Sequence, residues 1–107
     1  MTGRTGASQP AWVLGRVNAG ASSLTFQNGQ VTATAVRNGV GSYTLSWPTT
    51  GAATAYVQLS CSAFGGGPKF ANYLNLTASG MNVFIYSGSG GVAADADFNV
   101  RVDAPGA

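Results

Sequence analysis

Apolar and polar residues alternate with a period of two along most of this chain, the pattern of strands with one face turned to a core. Met81, Val83 and Ile85 alternate with Asn82, Phe84 and Tyr86. Phe98, Val100 and Val102 alternate with Asp97, Asn99, Arg101 and Asp103. Between them the run Gly88-Ser-Gly-Gly91 offers a turn, so these two stretches read as a β-hairpin with a long loop. Phe84 and Tyr86 put apolar surface on the second face of their strand, which predicts a strand covered on both sides, within one subunit or between subunits.

The same alternation predicts strands over residues 11–17, 30–37, 42–47, 55–63 and 71–77, with a short strand or ordered loop at Leu24-Thr-Phe26. The clearest is Tyr43, Leu45 and Trp47 against Thr44 and Ser46. Residues 64–70, with Phe64 and Phe70 around Gly-Gly-Gly-Pro-Lys69, read as an irregular loop. About seven to eight strands with Gly, Asn or Pro turns at roughly 10-residue spacing predict an all-β antiparallel sandwich, jelly-roll or immunoglobulin-like. The only helical candidate, 93–96, is too short. One head domain over 11–104 is expected, with a flexible lead-in over 1–10 and a tail over 105–107. The expected core is Trp12, Tyr43, Leu45, Trp47, Val57, Leu59, Val83, Ile85, Phe98 and Val100.

Composition narrows the function. The 107 residues are 45% hydrophobic and only 7% charged, against roughly 25% charged in an average soluble domain. Five Lys/Arg against three Asp leave a net charge of +2, spread along the chain. No basic patch is visible that would release phosphate counterions, so nucleic acid is not an expected partner. No stretch approaches the ~18 apolar residues of a transmembrane helix, and no apolar signal segment opens the chain. The sequon at Asn75-Leu76-Thr77 then reads as chance. The polar surface must be mostly Ser, Thr, Asn and Gly, which suits either contact with copies of itself or hydrogen bonding to neutral ligands.

Catalytic side chains are scarce. There is no His and no Glu, which leaves three Asp, one Lys and four Tyr for acid–base work. Asp95 and Asp97 are neighbours on one strand edge and cannot flank a scissile sugar bond as a glycosidase pair must. They read as solvated carboxylates pairing with Arg101, not as a calcium site. Cys61 shares the parity of Val57 and Leu59 and reads as a buried small hydrophobe. Gly88–Gly91 has no following Lys or helix and does not read as a phosphate loop. No enzyme activity, cofactor or metal is therefore expected.

Aromatic residues are the remaining candidates. Phe64, Lys69, Phe70 and Tyr73 would form a recognition surface on the loop that begins at Phe64. Tyr56, Phe84 and Tyr86 occupy the second faces of their strands and would contact a neighbouring subunit, or stack on sugar rings. The end of the domain that carries the loop depends on the strand count. With seven strands it shares the end of the N-terminus; with a separate strand at Leu24-Thr-Phe26 it lies at the opposite end, as does Gly88–Gly91.

Asn38-Gly-Val-Gly-Ser-Tyr-Thr-Leu-Ser-Trp47, Ala55-Tyr-Val57, Met81-Asn-Val-Phe-Ile-Tyr86 and Ala94-Asp-Ala-Asp-Phe-Asn-Val-Arg-Val102 together resemble the C-terminal head domain of tailed-bacteriophage tail-fibre proteins. Trp12 and Val13 stand where such domains open, and the resemblance runs over about residues 11 to 104. It implies a β-sandwich at the tip of a virion fibre, assembled as a homotrimer and binding a glycan or protein of the host cell surface. Only about ten residues precede the head where a fibre has a long shaft, so the chain would be a fragment or a small stand-alone relative. Two alternatives remain open: a structural virion decoration protein, or a monomeric carbohydrate-binding module using Tyr56, Phe84 and Tyr86.

Overall fold

A computed structural model describes residues 11–49, 55–61, 69–88 and 91–103. Eight strands follow in order: β1 (Val13–Val17), β2 (Leu24–Thr25), β3 (Thr34–Gly39), β4 (Ser42–Ser46), β5 (Tyr56–Cys61), β6 (Lys69–Thr77), β7 (Gly80–Ser87) and β8 (Phe98–Asp103). They form two four-stranded antiparallel sheets, β2-β1-β8-β5 and β3-β4-β7-β6. No helix forms among the described residues.

The alternating apolar residues explain why the sheets face each other. Val13, Val17, Phe98, Val100 and Val102 line the inner face of the first sheet, and Tyr43, Leu45, Met81, Val83 and Ile85 that of the second; all are essentially inaccessible. Tyr43 meets Phe98 edge-on across the gap, with ring centroids 5.2 Å apart at 66°, an arrangement aromatic pairs prefer. The expected all-β, two-sheet antiparallel architecture is what forms. Seven of the ten expected core residues are fully buried. Val57 and Leu59 are only half-covered because β5 is an edge strand, and Trp12 sits one residue out of step with buried Val13. The Trp12 ring is half-covered, and its indole N–H donates to the Pro48 carbonyl at 3.0 Å.

The expected hairpin between Met81–Ser87 and the final strand does not form. β7 pairs with β4 and β6, whereas β8 pairs with β1 and β5 in the other sheet. The chain crosses between sheets here and leaves only a bridge between Tyr86 and Ala93. β7 and β8 each have two apolar-faced neighbours to pair with in their own sheet, so alternation predicted their faces correctly but not their partners. The second correction concerns Lys69 and Phe70. They are strand residues, opposite Ser87 and Tyr86, because β7 extends far enough to supply backbone partners.

Leu24–Thr25 is a separate strand, and this resolves the polarity of the domain. Val13 pairs with Val102, whereas Val17 and Cys61 both oppose Phe98. Ala11 and Asp103 thus lie at one end, and Cys61, Lys69 and Ser87 at the other. Phe64, Ser89-Gly90 and the expected lead-in and tail at 1–10 and 105–107 lie outside the described residues.

At that far end Gly41 closes the β3–β4 turn with a φ of 66°. Its carbonyl accepts the Ile85 N–H at 2.8 Å. A β-carbon here would collide with the Ile85 carbonyl oxygen and come within 2.9 Å of Ala94 backbone atoms. Gly41→Ala is therefore expected to destabilise the domain by about 2–3 kcal/mol, through left-handed backbone and displaced neighbours together. A lowered midpoint in urea denaturation with an unchanged slope is the expected result; an unchanged midpoint would contradict this account.

Candidate functional site

Asp95, Asp97 and Asp103 are the chain's three carboxylate side chains, the groups on which acid–base chemistry would depend. Asp95 lies on the segment crossing from β7 to β8. Its Oδ1 accepts from the Tyr43 hydroxyl at 2.7 Å, the Gly41 N–H at 2.9 Å and Arg37 Nε at 3.3 Å, while Oδ2 accepts from Arg37 Nη2 at 2.7 Å. Tyr43 in turn accepts the Gly20 N–H at 2.9 Å. Asp97 takes Arg16 Nη2 and the Ala19 N–H, both at 2.7 Å. Arg101 Nε pairs with Asp103 two residues along its own strand, at 3.1 Å.

Asp95 and Asp97 are therefore half-buried and paired with Arg37 and Arg16, not solvated beside Arg101 as their spacing suggested. The crossing segment brings them against the β3–β4 turn and the loop after β1, which are distant in sequence. Arg37, with help from Tyr43 and Gly41, holds the Asp95 carboxyl down at about 2. The Ala19 N–H and Arg16 lower that of Asp97. Burial and the bond to Asp95 raise the Tyr43 hydroxyl. Asp95 and Asp97 are thus held ionised, and all three carboxylates are paired with arginines, an arrangement that favours holding the fold over proton transfer. Among the described residues no group of three or more His, Cys, Asp or Glu could hold a metal. Cys61 is half-buried against the core, and burial pushes its thiol up.

The outer face of the second sheet has a different character. Strand register places Tyr86 beside Phe70, Ser42 beside Phe84 beside Asn72, and Val36, Thr44, Asn82 and Leu74 in one row. Phe70, Leu74, Val36 and Phe84 are exposed there, and Tyr86 is half-covered. The Phe70 and Tyr86 rings form a tilted pair at 6.1 Å. Gly88 leaves room for the Phe70 ring, since a β-carbon there would stand 2.7 Å from its edge. Amides tie the rest together: Asn72 Nδ2 donates to the Tyr86 hydroxyl at 2.8 Å, and both Asn38 and Asn82 donate to Thr44 Oγ1. Asn75, in left-handed backbone at a bulge in β6, donates to Asn82 Oδ1 at 2.9 Å. No charged side chain stands in these rows.

This placement rearranges the expected sites. Phe70, expected at a receptor loop, shares a face with Phe84 and Tyr86, expected at a subunit contact. Lys69 and Tyr73 project from the opposite side of β6, Tyr73 across from buried Val83, yet Tyr73 stays exposed because β6 is an edge strand. Tyr56 lies on the outer face of the first sheet, opposite Asp103. It cannot join Phe84 and Tyr86 in one platform, because the core separates the two faces. Sequence reasoning missed Asn72, Leu74 and Val36, whose place on the face depends on register across three strand pairs.

No protein-family model, curated protein or solved structure matches this chain.

The Asp95 cluster yields a pH prediction. A carboxyl near 2 in the folded chain, against an ordinary 3.8, stabilises the fold fully above about pH 4, and the contribution fades as pH falls toward 2. Asp95→Asn is expected to cost on the order of 1 kcal/mol at neutral pH, solvent screening keeping it below the sum of the bonds lost. It should also flatten the loss of stability between pH 4 and 2. Urea midpoints across that range check both, and a parallel pH profile in the variant would contradict the assignment.

Proposed function

We propose that this chain is the receptor-binding tip domain of a phage tail fibre, a non-enzymatic module that recognises a glycan or protein on the host cell surface. The observation that carries the reading is the exposed, charge-free face of Phe70, Phe84, Tyr86 and Leu74 with its amides of Asn72 and Asn82. Aromatic rings offer flat apolar surface to the C–H faces of a sugar ring, and side-chain amides both donate to and accept from hydroxyls. A rigid sheet holds such a surface with little ordering cost. The commitment of Asp95, Asp97 and Asp103 to Arg partners supports recognition over hydrolysis. The resemblance of residues 11 to 104 to fibre heads adds the virion setting and a homotrimer. The separation of the far end from Ala11 is compatible with a head that presents its loops away from a shaft.

A second reading draws on the same face. Exposed Val36, Leu74 and Phe84 on one sheet would equally suit burial against a second copy or a virion shell, as in a structural decoration protein.

Binding of the purified chain to an array of bacterial surface glycans tests the first reading, with light scattering run in parallel. A trimer of the 10.7 kDa chain is expected. Tyr86→Ala and Phe70→Ala should each weaken glycan binding about tenfold, the loss of roughly 1.4 kcal/mol, while Tyr56→Ala leaves it unchanged. Dissociation of the trimer by Phe84→Arg, with no glycan bound by the parent chain, would establish the second reading instead. Release of sugar from any polysaccharide would overturn both.

A further inference from the structure

The outer face of the first sheet carries a second feature that the aromatic face does not use. A groove of about 330 Å³ runs over β5, β8 and β1, lined by Gln58, Ser60, Asn99, Arg101 and Leu14. A second hollow of about 210 Å³ continues it toward β2, sharing Leu14 and Asn99 and ending at Phe26. The larger hollow by itself is at the small end of the usual range of small-molecule sites.

We infer that this groove binds a saccharide bearing a carboxylate, with Arg101 receiving the acid group and Phe26 the face of a sugar ring. Arg101 contacts Asp103 through Nε alone. The Nη1–Nη2 edge of its guanidinium is thus left to make a paired contact with a planar carboxylate. Arg16, opposite Asn99 on the next strand, lines the second hollow with its guanidinium held by Asp97. Gln58 stands in register beside Arg101 and Ser60 beside Asn99, and they supply neutral donors and acceptors for hydroxyls; the Asn99–Ser60 contact is long at 3.4 Å and readily exchanged. Leu14 gives the floor an apolar patch.

Phe26 is the second, independent observation. It is 81% exposed, with a φ of 51°. Left-handed backbone favours glycine, and a solvated phenyl ring gains nothing from burial to offset that strain. The chain resumes its path along β1 directly afterwards, with Asn28 N–H donating to the Leu14 carbonyl at 2.9 Å. A glycine would make the same turn. An exposed aromatic held in strained backbone at the mouth of a groove is the kind of outlier that points to contact with a ligand. The hydroxyl partners and the ring favour a sugar acid over an acidic peptide.

The test is titration of the ¹⁵N-labelled chain with sodium glucuronate, followed by amide shifts, with glucose, acetate and a glutamate-containing peptide as comparison probes. Saturable shifts confined to the groove residues Gln58, Ser60, Asn99, Arg101 and Leu14 and to Phe26 at its mouth are expected, about tenfold or more weaker with glucose and with acetate. Arg101→Gln should abolish saturation, and Arg101→Lys should recover only part of it. Phe26→Gly should weaken binding while raising the melting temperature, which separates ligand contact from a role in stability. Tyr86→Ala, on the opposite face, should leave these shifts intact, so the failure of one site is distinguishable from failure of the other. Equal response to glucose, equal response to the acidic peptide, or shifts that persist in Arg101→Gln would each overturn the inference.

Discussion

The Asp95 carboxylate is the constraint on which the far end of the molecule depends. The chain must cross from the second sheet to the first between β7 and β8, and among its described residues the crossing pairs with a strand only at the Tyr86–Ala93 bridge. One carboxylate gathers the Arg37 guanidinium of β3, the Gly41 N–H of the following turn and the Tyr43 hydroxyl of β4. Tyr43 passes the connection to Gly20, in the loop between β1 and β2 of the other sheet. Its ring lies against Phe98, the first residue of β8. One side chain thus joins a polar latch to the hydrophobic core, and both sheets are bound through it. Asp97 repeats the device on a smaller scale, with Arg16 and Ala19.

This use of charge explains how a chain with 7% charged residues is organised. Three of its few cations are matched to its three acids at short distances, and two of those pairs stitch segments far apart in sequence. The outer face of the second sheet is neutral: rings, amides and hydroxyls presented by strand register. Over the first sheet, the Arg101–Asp103 pair joins residues of the same strand and ties no distant segments together. The two outer faces therefore differ in chemistry, one aromatic and uncharged, the other a polar groove with guanidinium groups.

Period-two alternation determined that this chain is all-β and which residues of most strands face inward, and composition that the acid–base inventory is thin. The burial of Tyr43, Leu45, Trp47, Val83, Ile85, Phe98 and Val100 follows from it, because a side chain's face depends only on its position along its own strand. Partners are another matter. Strands β7 and β8 were adjacent in sequence with a glycine run between them, yet each found neighbours in a different sheet, since alternation is equally satisfied by any apolar-faced partner. Lys69 and Phe70 joined a strand for the same reason: pairing with Ser87 and Tyr86 decided it. The aromatic face needed the register of four strands, and Tyr56 left it because β5 belongs to the opposite sheet. Asp95 and Asp97 found their arginines only through the crossing segment. What is local in the chain was legible in the sequence; what depends on which distant strands pair was settled by the tertiary structure, because backbone hydrogen bonds carry no side-chain identity.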